Sequence, residues 1–220
     1  MPQPIGVLGG TFDPIHYGHL RLAEELADRL ALAEVRFVPA RIPPHRDAPD
    51  VAPEHRLDMV RLALMGNARF RLDERECRRE GPSYTVDTLQ ALRDELDADQ
   101  PVCLLMGVDA YLGLATWSRW LHLYDLAHIV VAQRPGFSLD SGAMPDELSR
   151  QTAARLSRDA DALRGQASGC VLVVDTPPLA ISATAIRATI AAGRSARYLL
   201  PDDVLDYIDR HRLYKDFDAD

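Results

Sequence analysis

Two histidines stand three residues apart where an apolar strand pattern gives way to a helical pattern near the start of the chain. They are His16 and His19, inside the stretch GGTFDPIHYGHLRLAEEL over residues 9–26. Free N–H groups and the helix dipole make the start of a helix favourable for an anion. Imidazoles titrate near neutral pH, so they can donate hydrogen bonds there without a permanent buried charge. The pair is therefore a candidate site for binding phosphate groups.

The residues just before these histidines allow a ligand to come close. Gly9 and Gly10 have no side chains, so the backbone can turn sharply and a phosphate can approach it. The Asp13–Pro14 step favours a turn. The stretch is neither the G-x-G-x-x-G dinucleotide fingerprint nor a Walker loop with Gly-Lys-Ser/Thr. A zinc site would need further ligands that the spacing does not supply, and a glycine turn with two incidental surface histidines stays an open alternative.

A second group of polar side chains lies near the end of the chain, in ISATAIRATIAAG over residues 181–193. Ser182 is a good helix N-cap and Gly193 a natural helix end, which predicts a short helix between them. Arg187 is unusual there, because a cation near a helix N-terminus opposes the dipole. A negative group should therefore lie nearby. Contact with solvent or a surface carboxylate is the alternative to a bound phosphate.

Both motifs must be positioned by the short apolar segments that alternate with helical patterns along the chain. The predicted strands cover residues 4–9, 34–40, 69–74, 102–107, 128–133 and 170–175. Helical patterns include LRLAEELADRL, PEHRLDMVRLALMG and SYTVDTLQALRDEL, the last with Ser83 as its predicted N-cap. This alternation predicts a Rossmann-like α/β fold, a doubly wound parallel sheet with helices on both faces. Ligands of such folds bind at the carboxyl ends of the strands, where the strand order reverses.

Size and composition suit a single domain over residues 1–220, with 47% hydrophobic and 26% charged residues around one core. The polar segment 138–168 is predicted as a loose helical insertion, and residues 182–214 as a small C-terminal helical part. Three cysteines at distant positions predict neither a disulfide framework nor a CxxC metal site, which fits a reducing cytoplasm. The oligomeric state stays open, and a homo-oligomer is compatible with the sequence.

Charge and hydropathy indicate which kinds of partner to expect among nucleic acids, small anions and membranes. The net charge is −8 and no block of Lys and Arg is present, so we expect no nucleic-acid partner. An anionic small substrate stays compatible, because a few local donors can dominate one cleft. Hydrophobic runs are short and the N-terminus lacks a secretory pattern, so we expect no membrane span and no secretory signal.

The two motifs, GTFDPIHYGH and ISATAIR, resemble the two signatures of the HxGH-type nucleotidyltransferases. More closely, the chain is similar to the bacterial nicotinate mononucleotide adenylyltransferases, which make deamido-NAD and pyrophosphate from ATP and nicotinate mononucleotide. Further matching segments follow in the family's order, namely PPHR (43–46), GPSYTVDTL (81–89), MGVDA (106–110), TWSRW (116–120) and QRPG (133–136). Each segment would be weak evidence alone, and together they are specific. The resemblance implies one nucleotidyltransferase domain.

In that family a phosphate oxygen of the mononucleotide attacks the ATP α-phosphorus, so positioning and charge stabilisation do most of the work. The resemblance gives catalytic roles to His16, His19 and Arg187, with His19 the better candidate for stabilising the transition state. With these three, it implies ATP contacts from Gly9, Gly10, Thr11, Phe12, Gly107, Asp109, Ile181, Ser182 and Thr184. The Asp109 carboxylate would meet the ribose, and a helix N-cap is the alternative. Mg²⁺ is expected to bridge phosphate oxygens with few protein ligands.

For the acceptor, the resemblance implies a second group of binding residues. They are His45, Arg46, Tyr84, Thr85, Trp117, Ser118 and Arg134. Among them, His45, Arg46 and Arg134 are similar to the family's donors to the acceptor phosphate. For each of these, a solvated loop residue is the alternative interpretation.

The nicotinate ring needs an aromatic partner, and its carboxylate needs hydrogen-bond donors. Trp117 matches the family's stacking residue, whereas Thr85 and the backbone amides near Trp117 and Ser118 match its contacts to the carboxylate. Periodicity alone places Trp117 on one helical stripe with Leu121 and Tyr124, which favours a core residue instead.

Two positions depart from the family pattern. Ala40 stands where the family usually has Asn in PNxxPPH, so a donor near the acceptor is missing or is replaced by Arg41. Ala183 stands where the second signature commonly has Ser, so one hydroxyl is lost while Ser182 and Thr184 remain. Neither change touches the histidines, so we expect activity to be kept and affinities to differ.

Several other functions stay open at this point. Phosphopantetheine adenylyltransferase and cytidylyltransferases share the histidine motif but lack the pocket of Thr85 and Trp117. Class I aminoacyl-tRNA synthetases also have a motif with two histidines, although this chain has no lysine-rich KMSKS loop. From a different class, the chain could be a sensor that binds ATP without turnover, and the intact histidine pair argues against that.

Overall fold

The centre of the fold is one parallel sheet, seen in a computed structural model that describes residues 2–43, 48–133, 144–177 and 179–215. Its strands are β1 (Ile5–Gly10), β2 (Glu34–Pro39), β3 (Phe70–Leu72), β4 (Val102–Gly107), β5 (His128–Gln133), β6 (Leu156–Ser157) and β7 (Val171–Asp175). Within the described residues these seven strands lie in the order β3-β2-β1-β4-β5-β7-β6, and every neighbouring pair is parallel.

Helices cover both faces of the sheet. They are α1 (Tyr17–Arg29), α2 (Pro53–Leu64), α3 (Arg75–Arg78), α4 (Thr85–Arg93), α5 (Val108–Leu112), α6 (Leu123–Leu126), α7 (Asp146–Arg155), α8 (Ala183–Ala191) and α9 (Asp202–Arg210), with short 3₁₀ turns at Leu114–Thr116, Trp120–His122 and Ala160–Arg164. Helices α1, α2, α8 and α9 share one apolar cluster, and α4 to α7 share the other. None of the helices in the described ranges has the length and apolar character needed to cross a bilayer.

Alternation along the strands supplies the two clusters. Successive strand residues point to opposite faces, so Leu8 and Leu105 enter the first cluster, whereas Val7 and Leu104 enter the second. The predicted doubly wound α/β fold is therefore confirmed. The predicted strand positions agree with β1 to β5 and β7 within a few residues.

Two regions differ in detail from the sequence predictions. Inside the polar segment 138–168 the structure has α7 and then β6, a two-residue edge strand that is too short to leave a pattern in the sequence. Residues 134–143 lie outside the described residues. The arrangement of the whole chain as a single domain with an insertion stays a prediction.

The predicted C-terminal helix is present. The Ser182 side chain accepts a hydrogen bond from the Ala185 amide at 3.2 Å and so caps α8, and Gly193 has a φ of +67° just after that helix ends. Helix α9 then packs against α2. The C-terminal helices thus return the chain to the face of the sheet that carries α1.

The strand order reverses beside β1. β2 lies on one side of β1 and β4 on the other, so the crossovers that leave β1 and β4 turn in opposite directions. The carboxyl ends of these strands are Gly9–Gly10 and Met106–Gly107. A ligand site is expected at this point of a doubly wound sheet.

Candidate active site

A cleft of about 430 Å³ opens at the carboxyl ends of β1 and β4. It is lined by residues that the sequence analysis assigned to the two substrates, namely Gly9, Gly10, Thr11, His19, Gly107 and Asp109 for ATP, and Tyr84, Thr85, Trp117 and Ser118 for the acceptor. Ligand clefts of this size occur at the switch points of α/β sheets. The structure therefore brings much of both predicted groups into one cavity.

The two histidines lie at the start of α1 but in different surroundings. His19 lines the cleft, whereas His16 is the N-cap residue and is only 5% exposed. Their rings stack with centroids 3.8 Å apart. Phe12, predicted as an ATP contact, is buried outside the cleft lining, and its ring packs edge-on against His19 at 5.0 Å. His16 and Phe12 therefore support the imidazole of His19 from two sides.

The missing side chain of Gly18 allows the second motif to reach the first. A Cβ atom on Gly18 would lie 2.9 Å from the His16 ring and 3.4 Å from the carbonyl oxygen of Ile181. The start of α8 thus lies directly beside the start of α1. Ser182 and Thr184 are exposed in its first turn, so their hydroxyls are accessible to a ligand. In the described part of the chain, the cleft lining does not itself include Ile181, Ser182, Thr184 or Arg187.

Arg187 has the negative neighbour that its position in α8 predicts. Its Nε forms an ion pair with the carboxylate of Asp50, which lies just before α2. Its Nη1 donates to the main-chain carbonyl of Asp13 at 2.8 Å. The guanidinium therefore bridges α8 and the turn that carries His16. In this structure the anion is a carboxylate of the protein.

The acceptor half of the cleft is built around the start of α4. Tyr84 is the N-cap residue and Thr85 the first helical residue, and both line the cleft, so a helix N-terminus lies at this half of the cleft. The predicted capping role of Ser83 is wrong, because its Oγ accepts a hydrogen bond from the backbone amide of Arg41 at 2.9 Å. A helix start that lines a cleft suits a carboxylate ligand.

The predicted helical stripe through Trp117 is wrong. Trp117 has extended backbone angles after a 3₁₀ turn, and Arg119 is left-handed with a φ of 51°, so no continuous helix joins Trp117 to Tyr124. Leu121 is 47% exposed, whereas Tyr124 is buried. Trp117 is partly buried against the second apolar cluster and also lines the cleft.

Asp109 lies in the first turn of α5, where Gly107 is the N-cap residue. The alternative of an Asp109 N-cap is therefore wrong. Ala40 lines the cleft, but the suggested substitute for the missing asparagine does not, because the Arg41 guanidinium donates to the Arg79 carbonyl at 3.0 Å. Three predicted residues, His45, Arg46 and Arg134, lie outside the described residues.

The chain is similar over nearly its whole length to proteins of known family. A family model described as cytidylyltransferase-like matches residues 7–189. A protein of Dechloromonas aromatica is 51% identical over 215 residues, covering 98% of this chain and 99% of its own length. One of Halorhodospira halophila is 52% identical over 207 residues, with 93% of both chains covered. Both are named "Probable nicotinate-nucleotide adenylyltransferase". The chain belongs to the nicotinate-nucleotide adenylyltransferase family.

Solved structures agree on the fold of this family member. A Plasmodium falciparum nicotinic acid mononucleotide adenylyltransferase complexed with NaAD has a TM-score of 0.71 at 17% identity, over 96% of this chain and 97% of that chain. The same enzyme complexed with APC has a TM-score of 0.68. At this level of identity the likeness shows a shared fold.

Arg56 is a residue of this adenylyltransferase family member that the sequence analysis missed. It is fully buried, and its guanidinium donates to the carbonyls of Thr11 at 2.8 Å, Ala40 at 2.5 Å and Arg41 at 3.0 Å. Thr11 and Ala40 belong to the loops after β1 and β2, and both line the cleft. Burial lowers the pKa of Arg56 from its ordinary value. Arg56 therefore fixes one wall of the cleft through backbone contacts.

Glu76 is a second missed residue. It lines the acceptor half of the cleft, is nearly buried, and accepts a hydrogen bond from the Thr88 hydroxyl at 2.5 Å. Burial raises the pKa of the Glu76 carboxyl. A carboxyl that protonates more readily repels a neighbouring anion less than an ordinary glutamate would.

The buried His16 makes stability depend on pH. Burial lowers the pKa of His16 to about 4, so between pH 6.5 and pH 4 the unfolded chain binds a proton that the folded chain does not. Stability is therefore expected to fall as the pH drops through this window, by about 3 kcal/mol in all. Urea unfolding of the wild type and of His16→Gln at pH 7 and pH 4.5 measures this contribution.

His122→Gln serves as the control for this experiment, because His122 is an exposed histidine far along the chain in the second half of the fold. The His16→Gln variant should lose less stability than the wild type between the two pH values. An equal loss in the wild type and in His16→Gln would contradict the assignment of this pH dependence to His16.

Proposed function

We propose that this protein transfers the adenylyl group of ATP to nicotinate mononucleotide, giving deamido-NAD and pyrophosphate. The observation that carries the proposal is that one cleft at the strand switch point is lined by His19, Asp109, Thr85 and Trp117. The names of relatives about 50% identical over nearly their whole length support it.

In the donor half, we assign the triphosphate to the region between the starts of α1 and α8. His19 donates to the phosphates from the cleft wall, and Ser182 and Thr184 reach them from the first turn of α8. Arg187 exchanges Asp50 for a phosphate oxygen, because the guanidinium binds either anion through the same N–H groups. Asp109 accepts hydrogen bonds from the ribose hydroxyls.

The proposed reaction is an in-line displacement at the α-phosphorus. A phosphate oxygen of the mononucleotide forms the new P–O bond, and the bond from the α-phosphorus to the bridging oxygen breaks, with its electron pair leaving on pyrophosphate. Charge develops on the α-phosphoryl oxygens and on the leaving group. His19, and Arg187 once it has exchanged Asp50 for a phosphate oxygen, stabilise that charge without covalent chemistry by the protein.

We infer that Mg²⁺ accompanies ATP, as nucleotidyl transfer generally uses a divalent cation that neutralises and orients the phosphates. In residues 2–43, 48–133, 144–177 and 179–215, no group of three or more His, Cys, Asp or Glu side chains could hold a metal ion. A hydrated Mg²⁺ ion that takes most of its ligands from phosphate and water is compatible with such a site.

In the acceptor half, the pyridine ring stacks on Trp117, and its carboxylate accepts hydrogen bonds from Thr85 and from N–H groups at the start of α4. The raised pKa of Glu76 supports this arrangement, because a carboxyl that protonates more readily repels the nicotinate carboxylate less than an ordinary glutamate would. The mononucleotide phosphate is assigned to His45, Arg46 and Arg134, on the family resemblance alone.

The proposal involves ATP and nicotinate mononucleotide as partners and neither nucleic acid nor a membrane. A cytoplasmic location belongs to it, supported by three cysteines that are all free thiols. Subunit association is left open, with a homo-oligomer compatible with the proposal.

An assay of pyrophosphate release with ATP and Mg²⁺ tests the proposed function. Nicotinate mononucleotide should support turnover, whereas phosphopantetheine or no acceptor should give no release above background. Turnover with phosphopantetheine would assign the chain to a different adenylyltransferase. ATP binding with no release in the presence of nicotinate mononucleotide would indicate a nucleotide sensor instead.

A further inference from the structure

Asp13, in the turn between β1 and α1, accepts hydrogen bonds from three residues that are distant in the sequence. Its side chain is 4% exposed, although a carboxylate is costly to bury without partners. One carboxylate oxygen accepts from the Tyr214 hydroxyl at 2.6 Å, and the other from the Asp50 amide at 2.7 Å. Its main-chain carbonyl accepts from Arg187 at 2.8 Å. Four distant segments of the chain therefore meet at this residue.

Tyr214 approaches Asp13 from beyond the last helix of the described chain. The preceding Leu213 is buried, and its amide donates to the Ile208 carbonyl at 3.0 Å, which anchors the turn after α9. Arg212 and Tyr214 have φ values of 53° and 60°, a left-handed backbone that is unfavourable for side chains of this kind. The chain thus adopts an unfavourable local conformation that directs the phenol toward Asp13.

The Tyr214 hydroxyl is protonated at neutral pH and so can act as a hydrogen-bond donor to Asp13. Burial, together with the hydrogen bond to Asp13, raises the pKa of Tyr214 well above its ordinary value. The hydroxyl therefore keeps its proton at neutral pH and donates to the carboxylate. A second contact joins the same regions, because the Tyr17 amide at the start of α1 donates to the Leu199 carbonyl at 3.0 Å.

We propose that Tyr214 is a positioning residue for the ATP half of the active site, acting through Asp13 on the turn that carries His16 and His19 and on the guanidinium of Arg187. The inference rests on the proposed function, since it places the ATP phosphates beside these groups. Tyr214 does not touch the substrate. It fixes the geometry of donors that do. Its hydroxyl should therefore matter for binding of ATP and not for binding of the acceptor.

Tyr214→Phe removes only the hydroxyl and keeps the buried ring. With one charge-assisted hydrogen bond lost, the dissociation constant for a non-transferable ATP analogue should rise about 10-fold. Where turnover is measured, kcat/KM for ATP should fall by a similar factor, with KM for nicotinate mononucleotide little changed. Isothermal titration calorimetry on the full-length protein gives the affinity directly. Tyr198→Phe is the matched control, because the Tyr198 side chain is 81% exposed.

A purely structural role predicts a different result. If Tyr214 only stabilised the fold, the variant would unfold at lower urea concentration, while its folded fraction would bind the analogue with wild-type affinity. That result would overturn the proposal, and so would an equal loss of affinity in Tyr198→Phe. Asp13→Ala offers a second route, because it removes the acceptor of the Tyr214 hydroxyl, so combining it with Tyr214→Phe should weaken binding no further than Asp13→Ala alone.

The calorimetric test also separates this inference from the proposed function. A wild type that binds the ATP analogue but releases no pyrophosphate with nicotinate mononucleotide would refute the proposed reaction, and the affinity ratio of Tyr214→Phe to wild type would still decide the positioning role. A wild type that does not bind the analogue would overturn both.

Discussion

Replacing His19 with alanine is expected to reduce kcat for pyrophosphate release roughly 100-fold or more. His19 lines the cleft at the start of α1, and its ring is held by the stacked His16 and the edge of Phe12. A donor fixed in this way needs no rearrangement as charge develops on the phosphoryl oxygens. Its contribution should therefore be largest in the transition state, so KM for ATP should change much less than kcat.

Initial rates of pyrophosphate release at saturating ATP and nicotinate mononucleotide measure this effect. The unfolding midpoint in urea should show that His19→Ala is folded. His122→Ala is the matched control, because His122 is exposed and its partner is Asp125. A folded His19→Ala variant with kcat within a few-fold of wild type would refute the catalytic role of His19.

The sheet and the position of the cleft could be predicted because they depend on local patterns. Short apolar runs gave the strand positions, and their alternation with one-sided helices required parallel pairing. Ser182 and Gly193 bounded α8 through capping chemistry, which acts over a few residues. β6 was not predicted because a strand of two residues is too short to show an alternating pattern of apolar and polar residues.

The site was predicted well where a residue's role depends on its own segment and poorly where it depends on contacts across the fold. Gly9, Gly10 and His19 belong to one strand–turn–helix unit, so their placement follows from local geometry. Arg56 lies within an ordinary helical pattern, and nothing in that pattern shows that it binds carbonyls of two separate loops. Glu76 is hidden in a charged run that resembles a solvated surface.

The position of Trp117 could not be predicted from helical periodicity, because the backbone conformation of one nearby residue interrupts the helix. The helical stripe assumed a regular helix through residues 117–124, and the left-handed Arg119 interrupts it. A positive φ at a non-glycine residue leaves no mark in a sequence pattern. Asp50 could not be identified as the partner of Arg187 either, because their ion pair depends on tertiary packing alone.

A strong preference for an acidic over an amide acceptor is the second large effect expected of this protein. In the proposed arrangement, the ring substituent lies beside the donors at the start of α4 and the Thr85 hydroxyl, which line the cleft. A carboxylate accepts from all of them, whereas the NH₂ of an amide faces donors and leaves them unpaired. We expect kcat/KM for nicotinate mononucleotide to exceed that for nicotinamide mononucleotide roughly 100-fold.

Removing one donor should weaken this preference. Thr85→Val keeps the shape of the side chain and deletes its hydroxyl, so the ratio should fall about 10-fold with KM for ATP unchanged. Thr189→Val is a control that loses a hydroxyl donating to the Ala185 carbonyl of its own helix, and it should keep the wild-type ratio.

We propose that one cleft at the strand switch point holds ATP at His19 and an acidic pyridine ring between Thr85 and Trp117. The ratio of kcat/KM for nicotinate mononucleotide to that for nicotinamide mononucleotide tests it most directly, measured in the wild type and in Thr85→Val. We expect a large ratio in the wild type and a much smaller one in the variant. Comparable values for the two acceptors in the wild type would contradict it.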